Sequence, residues 1–256
     1  MKRLILLLFV AISATGCSDK PSIELEQFSD NFLDWYFSTY PITATWIRIH
    51  DYDSRMDDVS PIPDEWSDEQ SESFQREYNN LSVQILSIHE AIPGHYVQLY
   101  YSNRYPSIVR SVFGSGTFIE GWAHYAEQMM VDEGYWNNDP RMKLVQLKWR
   151  LRGLTNAIID QKIHKRGMTE EEAVSLMMNE GFQEESEAKG KWIRAQLSST
   201  QLSSYYVGSV EIFDLREKYK KVKGDKFSLK DFHENLLSHG SPPVKYLTEL
   251  LLSDGH

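Results

Sequence analysis

The stretch HEAIPGH at residues 89–95 constrains this chain more than any other, because its two histidines can work together only if the helix that carries them is interrupted. A glutamate lies between the histidines, and EGWAHYAE at 120–127 adds Glu120, His124 and Glu127, spaced to share one face of a second helix. This is the inventory of a hydrolytic zinc site: three ligands, one open position and a general base. In an HExxH helix the histidines stand four apart and point the same way. Here they stand six apart, and six residues turn an ideal helix through about 600°, leaving the two rings roughly 120° out of line. Pro93 has no N–H and its ring clashes with the carbonyl of His89, while Gly94 tolerates backbone angles closed to other residues. A helix end or bulge at Pro93–Gly94 is expected to return His95 to the side of His89. The competing reading stops the helix at Ile92 and leaves His95 in a loop, with His89 and Glu90 as surface polar groups.

The rest of the chain reads as one helix after another. Leu81, Ile85, Ile88 and Ile92 form a stripe that would anchor the metal helix by burial, continued by Tyr96, Leu99 and Tyr100. Residues 141–165 predict a long helix with Leu144, Leu147, Leu151, Leu154 and Ile158 inward, and Asp160 paired with His164 one turn on. Thr169 and Glu172 make a capping box, and Ser228 with Asp231 opens a helix that carries His233. Upstream, Leu25, Phe28, Phe32, Trp35 and Tyr36 recur at threes and fours over residues 22–40. Nothing alternates as paired strands do, so the fold class is all-α, with at most one short strand near 46–49. Residues 62–76, IPDEWSDEQSESFQR, are polar and read as a linker between an N-terminal helical segment (17–61) and a catalytic domain (77–256).

The first sixteen residues read as a signal peptide: Met1-Lys2-Arg3, then an apolar run too short to span a bilayer. Ala14-Thr15-Gly16-Cys17 resembles a bacterial lipobox, which implies a lipid on Cys17 and a lipid-anchored place in the cell envelope. Ser18 in the next position resembles lipoproteins sorted to the outer membrane, facing the periplasm. Cys17 is the single cysteine, so the chain has no internal disulfide and no thiol to spare for catalysis. The formal charge is −10, and it becomes −12 once Lys2 and Arg3 leave with the signal peptide, since residues 1–16 hold no acid. A chain this acidic repels phosphate backbones, which excludes nucleic acid as a partner.

HEAIPGHYVQ, FIEGWAHYAEQMM, QLKWRLRGLTNAIIDQKIH, GKWIRAQLSSTQLSSYYVG and DFHENLLSHGSPPVKYL follow one another as in the bacterial family called domain of unknown function 885. The likeness covers nearly all of residues 77–252, with a weaker one over 41–61. Members resemble gluzincin peptidases, the mostly helical group of the thimet-type oligopeptidases. The resemblance implies a zincin-like helical fold and Zn²⁺ held by His89, His95 and Glu120, with His124 and Glu127 as partners that orient the ligand rings; Glu127 is the other candidate third ligand. It implies Glu90 as general base, and Tyr205, Tyr206 or His233 as the group that stabilises the oxyanion, in hydrolysis of short peptides. Family members carry a long helical segment between the blocks at 41–61 and 77 onward, so an internal deletion is implied. Two rival readings follow from that gap: an inactive remnant serving as a binding or structural lipoprotein, and a zinc-binding envelope protein. A closed four-ligand shell would mark the second.

Overall fold

The structure, a computed structural model, describes residues 67–107, 109–110 and 113–252, together with Gln27, Asp30–Trp35 and Ser38. Cys17, the lipobox, the weaker likeness at 41–61 and the candidate strand near 46–49 lie outside the described residues. The chain divides into two units between Glu65 and Trp66. In the first, the described residues are helical, and the Phe32 and Trp35 rings lie 5.8 Å apart, as side chains three apart on a helix should.

In the second unit the described residues form ten α-helices and no strand, so the all-α class holds. They are α1 (Asp68–Glu77), α2 (Asn80–Glu90), α3 (His95–Ser102), α4 (Gly116–Asp132), α5 (Pro140–Arg166), α6 (Glu170–Asn179), α7 (Glu185–Leu197), α8 (Gln201–Lys223), α9 (Leu229–Ser238) and α10 (Val244–Leu252). Helix α1 corrects the expectation of a linker over the part of 62–76 that is described. Ser67 Oγ accepts from Gln70 N, and Gln70 Oε1 accepts from Ser67 N, a capping box that nucleates a helix in a polar run. Its last residue, Glu77, is buried and paired with Lys148 at 2.8 Å and Arg152 at 3.3 Å of α5, so the helix is held by charge where it lacks an apolar stripe. The capping boxes at Ser67 and Thr169 and the Ser228 cap show how much of the helix punctuation is local.

Helix α4 is the hub: it packs most extensively along α8 and also touches α2, α3 and α5. The reason is a backbone contact without side chains between. A Cβ on Gly208 would sit 1.8 Å from Thr117 O, and one on Gly121 would sit 2.5 Å from Gly208 Cα. Two glycines therefore let α4 and α8 cross at backbone contact, as no larger pair could. Along α4 the largest core cluster joins Phe118, Trp122, Tyr125 and Met129 to α8, α9 and α10. Tyr125 Oη and His233 Nε2 make a 2.8 Å hydrogen bond inside it. A second cluster closes α6 and α7 onto α5 around Ile159, Met177 and Leu202, and a third ties Ile85 and Ile88 of α2 to Ala126 and Met142.

Two expected stripes come out differently. Ile85 and Ile88 are buried, but Ile92, Tyr96 and Tyr100 are exposed, because the turn after Glu90 restarts the helix in a new direction and α3 buries His95, Gln98 and Ser102 instead. Along α5, Leu144 and Leu147 are exposed and the buried set includes Gln146, Gly153, Asn156 and Asp160. Met142 and Ile159 of α5 still enter the core clusters, and between them the helix turns polar residues inward. Asp160 accepts from Thr200 N at 3.0 Å and from Ser203 N and Oγ at 2.9 and 2.7 Å, so it caps α8 from a different helix; His164, 3.7 Å away, is a lesser partner than the local pair expected.

Gly208→Ala is expected to destabilise the protein by about 3 kcal/mol, since two helices must part to admit one methyl group. Gly190→Ala, where an added Cβ meets nothing within 4 Å, is expected to be neutral or to stabilise by up to ~1 kcal/mol. Denaturant unfolding of both variants checks this. His233 is held down to about 4 by burial and then by the charge of Arg216. Its folded value lies below its unfolded one, so its contribution is full above about pH 6.5 and is lost as pH falls through 4, on the order of 3 kcal/mol at most. Thermal midpoints across pH 4–7 are expected to fall less steeply in His233→Gln than in wild type.

Candidate metal centre

The centre is built on the interruption in HEAIPGH. Asn79 caps α2 by accepting from Leu81 N and Ser82 N, the helix ends at Glu90, residues 91–94 make a turn with a cis Ile92–Pro93 bond, and α3 begins at His95. Gly94 N donates to Ile88 O at 2.9 Å, folding the turn back over the last carbonyls of α2. A Cβ at Gly94 would lie 1.9 Å from His89 O, so only glycine fits. Trp122 Nε1 donates to Pro93 O at 2.8 Å and pins the turn to α4. The His89 and His95 rings meet edge to face with centroids 4.7 Å apart, both buried. His95 is thus returned to the side of His89, and the loop reading is set aside.

Helix α4 supplies the rest. Glu120 Oε2 lies 3.3 Å from His95 Nε2 and 3.7 Å from His89 Nε2, and the three candidate ligand atoms lie within 4.8 Å of one another. Glu127, fully buried, faces the other ring nitrogens: its Oε1 is 2.6 Å from His89 Nδ1 and its Oε2 is 3.1 Å from His124 Nδ1. Of the two candidate acids, Glu120 therefore faces the free nitrogens and Glu127 the back of the ring. Gln201 of α8 donates from Nε2 to Glu120 Oε1 at 3.3 Å and to Tyr205 Oη at 2.9 Å, leaving Oε2 as the oxygen turned to the histidines.

The donor set fits a divalent ion. Glu120 Oε2 is buried without a hydrogen bond, although two imidazole nitrogens lie near it. Ligand atoms about 2.0–2.2 Å from a four-coordinate zinc stand ~3.3 Å apart, close to the 3.3 and 3.7 Å from Glu120 Oε2 to the two imidazole nitrogens. Charge points the same way. Burial disfavours the charged form of His89, but pairing with Glu120 and Glu127 outweighs it and raises the ring to about 10. Burial likewise opposes ionisation of Glu120 and Glu127, yet the histidines beside them lower both to about 2. Two carboxylates among imidazoles, Glu127 buried and Glu120 partly so, call for positive charge between them, which a protonated ring or a cation can supply.

The remaining candidates divide. Glu90 is exposed and lines a cavity of about 170 Å³ together with His89, His124, Glu127 and Tyr205. Tyr205 stacks on His89 with centroids 6.2 Å apart; burial, then the charge of Glu120, raise its hydroxyl, so it holds its proton. Tyr206, the next residue, is turned to Arg150, whose guanidinium carbon lies 5.8 Å from its ring centre. His233 packs on Trp122 and Tyr125, the face of α4 opposite Glu120, His124 and Glu127, so the structure does not bring it to the centre. Reasoning from sequence passed over Gln201 and Gly153. A Cβ at Gly153 would lie 2.8 Å from His124 Nε2, so this glycine in α5 makes room for the ring. Neither carries a local signal, because each acts on a residue far along the chain.

A solved structure from Shewanella oneidensis, a "putative lipoprotein of unknown function", is 56% identical, with a TM-score of 0.71, over 77% of this chain and 36% of its own. A "putative lipoprotein" from Colwellia psychrerythraea is 30% identical, with a TM-score of 0.64, over 67% of this chain and 30% of its own. The chain thus spans about a third of the length of these relatives. No curated protein matches it. The profile of the family described as "Bacterial protein of unknown function (DUF885)" matches residues 65–251, a span that holds every residue of the centre and, but for Leu252, all ten helices. The chain belongs to this family.

Proposed function

We propose that the protein is a zinc-dependent hydrolase of short peptides, anchored in the cell envelope through a lipid on Cys17. The observation that carries the reading is the convergence of His89 Nε2, His95 Nε2 and Glu120 Oε2 beside a cavity that Glu90 also lines. A zinc ion bound there would polarise a peptide carbonyl and make a water acidic enough, with a pKa of about 7, for a carboxylate to deprotonate. Glu90 is that carboxylate: it follows a ligand in sequence and stays exposed to the cavity. Glu127 holds the His89 ring by Nδ1, leaving Nε2 on the side of Glu120, where it would serve as a ligand, and it bridges to His124 behind. Tyr205 Oη accepts from Gln201 Nε2 at 2.9 Å and from Arg194 at 3.4 Å, so its own proton is free to donate to a developing oxyanion. The described residues bring three ligand atoms together rather than four, which favours catalysis over zinc storage.

The lipid anchor rests on ATGC at 14–17 and on two relatives called putative lipoproteins. The proposed lipid on Cys17 would hold the protein at the outer membrane, facing the periplasm; among the described residues no helix is long and apolar enough to cross a membrane.

Metal analysis of the purified protein is expected to give one zinc per chain, lost in His89→Ala and in Glu120→Ala and largely kept in His124→Ala. Glu127→Ala is expected to weaken binding about 10- to 100-fold. Normal binding by Glu120→Ala would reassign the third ligand.

Turnover is expected to be slow, since the relatives carry much additional chain and misplacing a substrate by about 1 Å can cost on the order of 100-fold. Mass spectrometry of a peptide library is expected to find cleavage products with wild type and none with Glu90→Gln, which keeps its zinc. Zinc-loaded wild type with no products above the variant's background would overturn the peptidase reading.

A further inference from the structure

The cavity beside the His–Glu cluster has a second wall of opposite character. Arg152 from α5 and Lys191 and Arg194 from α7 line it, facing the side that carries His89, Glu90 and Tyr205. Charge pairing accounts for only part of this wall. Glu77 takes Lys148 and Arg152, and Glu187 takes Arg152, so two carboxylates already serve two cations. Lys191 has only a share of Glu187, at 3.6 Å, beyond hydrogen-bond length, although its side chain is 8% exposed. Arg194 is hydrogen-bonded to neutral groups, Gln201 Oε1 at 3.0 Å and Tyr205 Oη at 3.4 Å.

Lys191 and Arg194 stand three apart on α7, where side chains are neighbours and like charges repel. Burial, and then the charge of Arg152, lower the Lys191 ammonium to about 8. A buried ammonium without a full counter-charge costs free energy that an incoming anion would recover. The space is small: about 170 Å³, below the ~300 Å³ at which pockets for drug-sized ligands begin, which suits one amino-acid residue.

We propose that Lys191 and Arg194 form a subsite for a substrate carboxylate on the residue that follows the scissile bond. This rests on the peptidase reading above, and it narrows the substrate class to short peptides that carry a carboxylate there, as the free C-terminus or as an acidic side chain. Arg152 backs the subsite and is itself spoken for by Glu77 and Glu187.

Titration calorimetry with three peptides tests it: N-acetyl-Ala-Ala, its amide, and N-acetyl-Ala-Glu-amide. Each is added to zinc-loaded Glu90→Gln, which cannot turn the peptide over, and to the zinc-free wild-type chain. At least one carboxylate-bearing peptide is expected to bind about 10- to 100-fold more tightly than the neutral amide in both forms. The advantage is expected to shrink to within about threefold in Lys191→Met and in Arg194→Gln, with zinc content unchanged. Preference for N-acetyl-Ala-Ala assigns the C-terminal carboxylate, and preference for N-acetyl-Ala-Glu-amide assigns the side chain. Equal binding of all three peptides would overturn the subsite. So would a preference that survives both substitutions, because the cluster would then be reading the carboxylate. Arg194 is exposed, so Arg194→Gln decides if Lys191→Met does not fold. Failure of the peptidase reading registers separately, as zinc-loaded wild type that cleaves none of the peptides while these affinities still report on the subsite.

Discussion

Glu127 is a carboxylate with no exposure to solvent, and its satisfaction organises the centre. Removing such a charge from water costs several kcal/mol unless partners replace the lost hydration. Two imidazoles do so, His89 at 2.6 Å and His124 at 3.1 Å, and each must be delivered from a fixed direction. His89 comes from the end of α2, where the Ile85 and Ile88 stripe anchors the helix against α4 and α5. His124 comes from the same helix as Glu127, and it keeps its place because Gly153 leaves the α5 backbone without a side chain at that point. Once Glu127 holds Nδ1 of His89, the opposite nitrogen of that ring faces Glu120 and His95. The geometry proposed for the metal is thus a consequence of a buried charge one layer behind it.

The second constraint is the contact of α4 and α8 at Gly121 and Gly208. It brings the N-terminal end of α8 over Glu120, the residue just before Gly121, so that Gln201 reaches Glu120 and Tyr205 lies over His89. Asp160 fixes the same end of α8 from below by capping it, so the register of α8 is set at two points by two different helices. The cost appears along α5, where a buried face that could have been apolar is polar, and where Leu144 and Leu147 are left exposed.

On the other side of the cavity the same accounting of charge gives a different result. Glu120 and Glu127 each have two imidazoles beside them. Around Lys191 and Arg194 the cations exceed the carboxylates, in a chain whose formal charge is −10. Positive charge left uncovered in a strongly acidic protein, inside a small cavity next to a cluster of metal-binding type, is a local departure from the overall balance. That departure is the observation on which the proposed carboxylate subsite rests.

Much of this was legible in the sequence because it is set by near neighbours. The caps at Ser228 and Thr169, the long helix through residue 160, the break at Pro93–Gly94 and the common face of Glu120, His124 and Glu127 all follow from residues a few positions apart, where helix geometry and backbone sterics suffice. Residues 67–76 misled by polarity, because a capping box and one buried glutamate hold α1 where periodicity sees only a solvated run. The expected stripes through Ile92 and Leu144 failed for a related reason: which face is buried depends on what lies opposite, and a helix restarted after a turn need not keep the old face. His233 was placed by resemblance to family blocks, whereas its position is set by α9 packing on the far face of α4. By itself the sequence determined that the chain is helical, where the helices break, and which residue types could hold a metal. Only the tertiary structure decided that Glu120 rather than Glu127 meets the free nitrogens, that Tyr205 rather than Tyr206 enters the cavity, and that Lys191 and Arg194 face it. Those outcomes depend on how helices distant in sequence cross, and two glycines and a buried carboxylate settle that crossing.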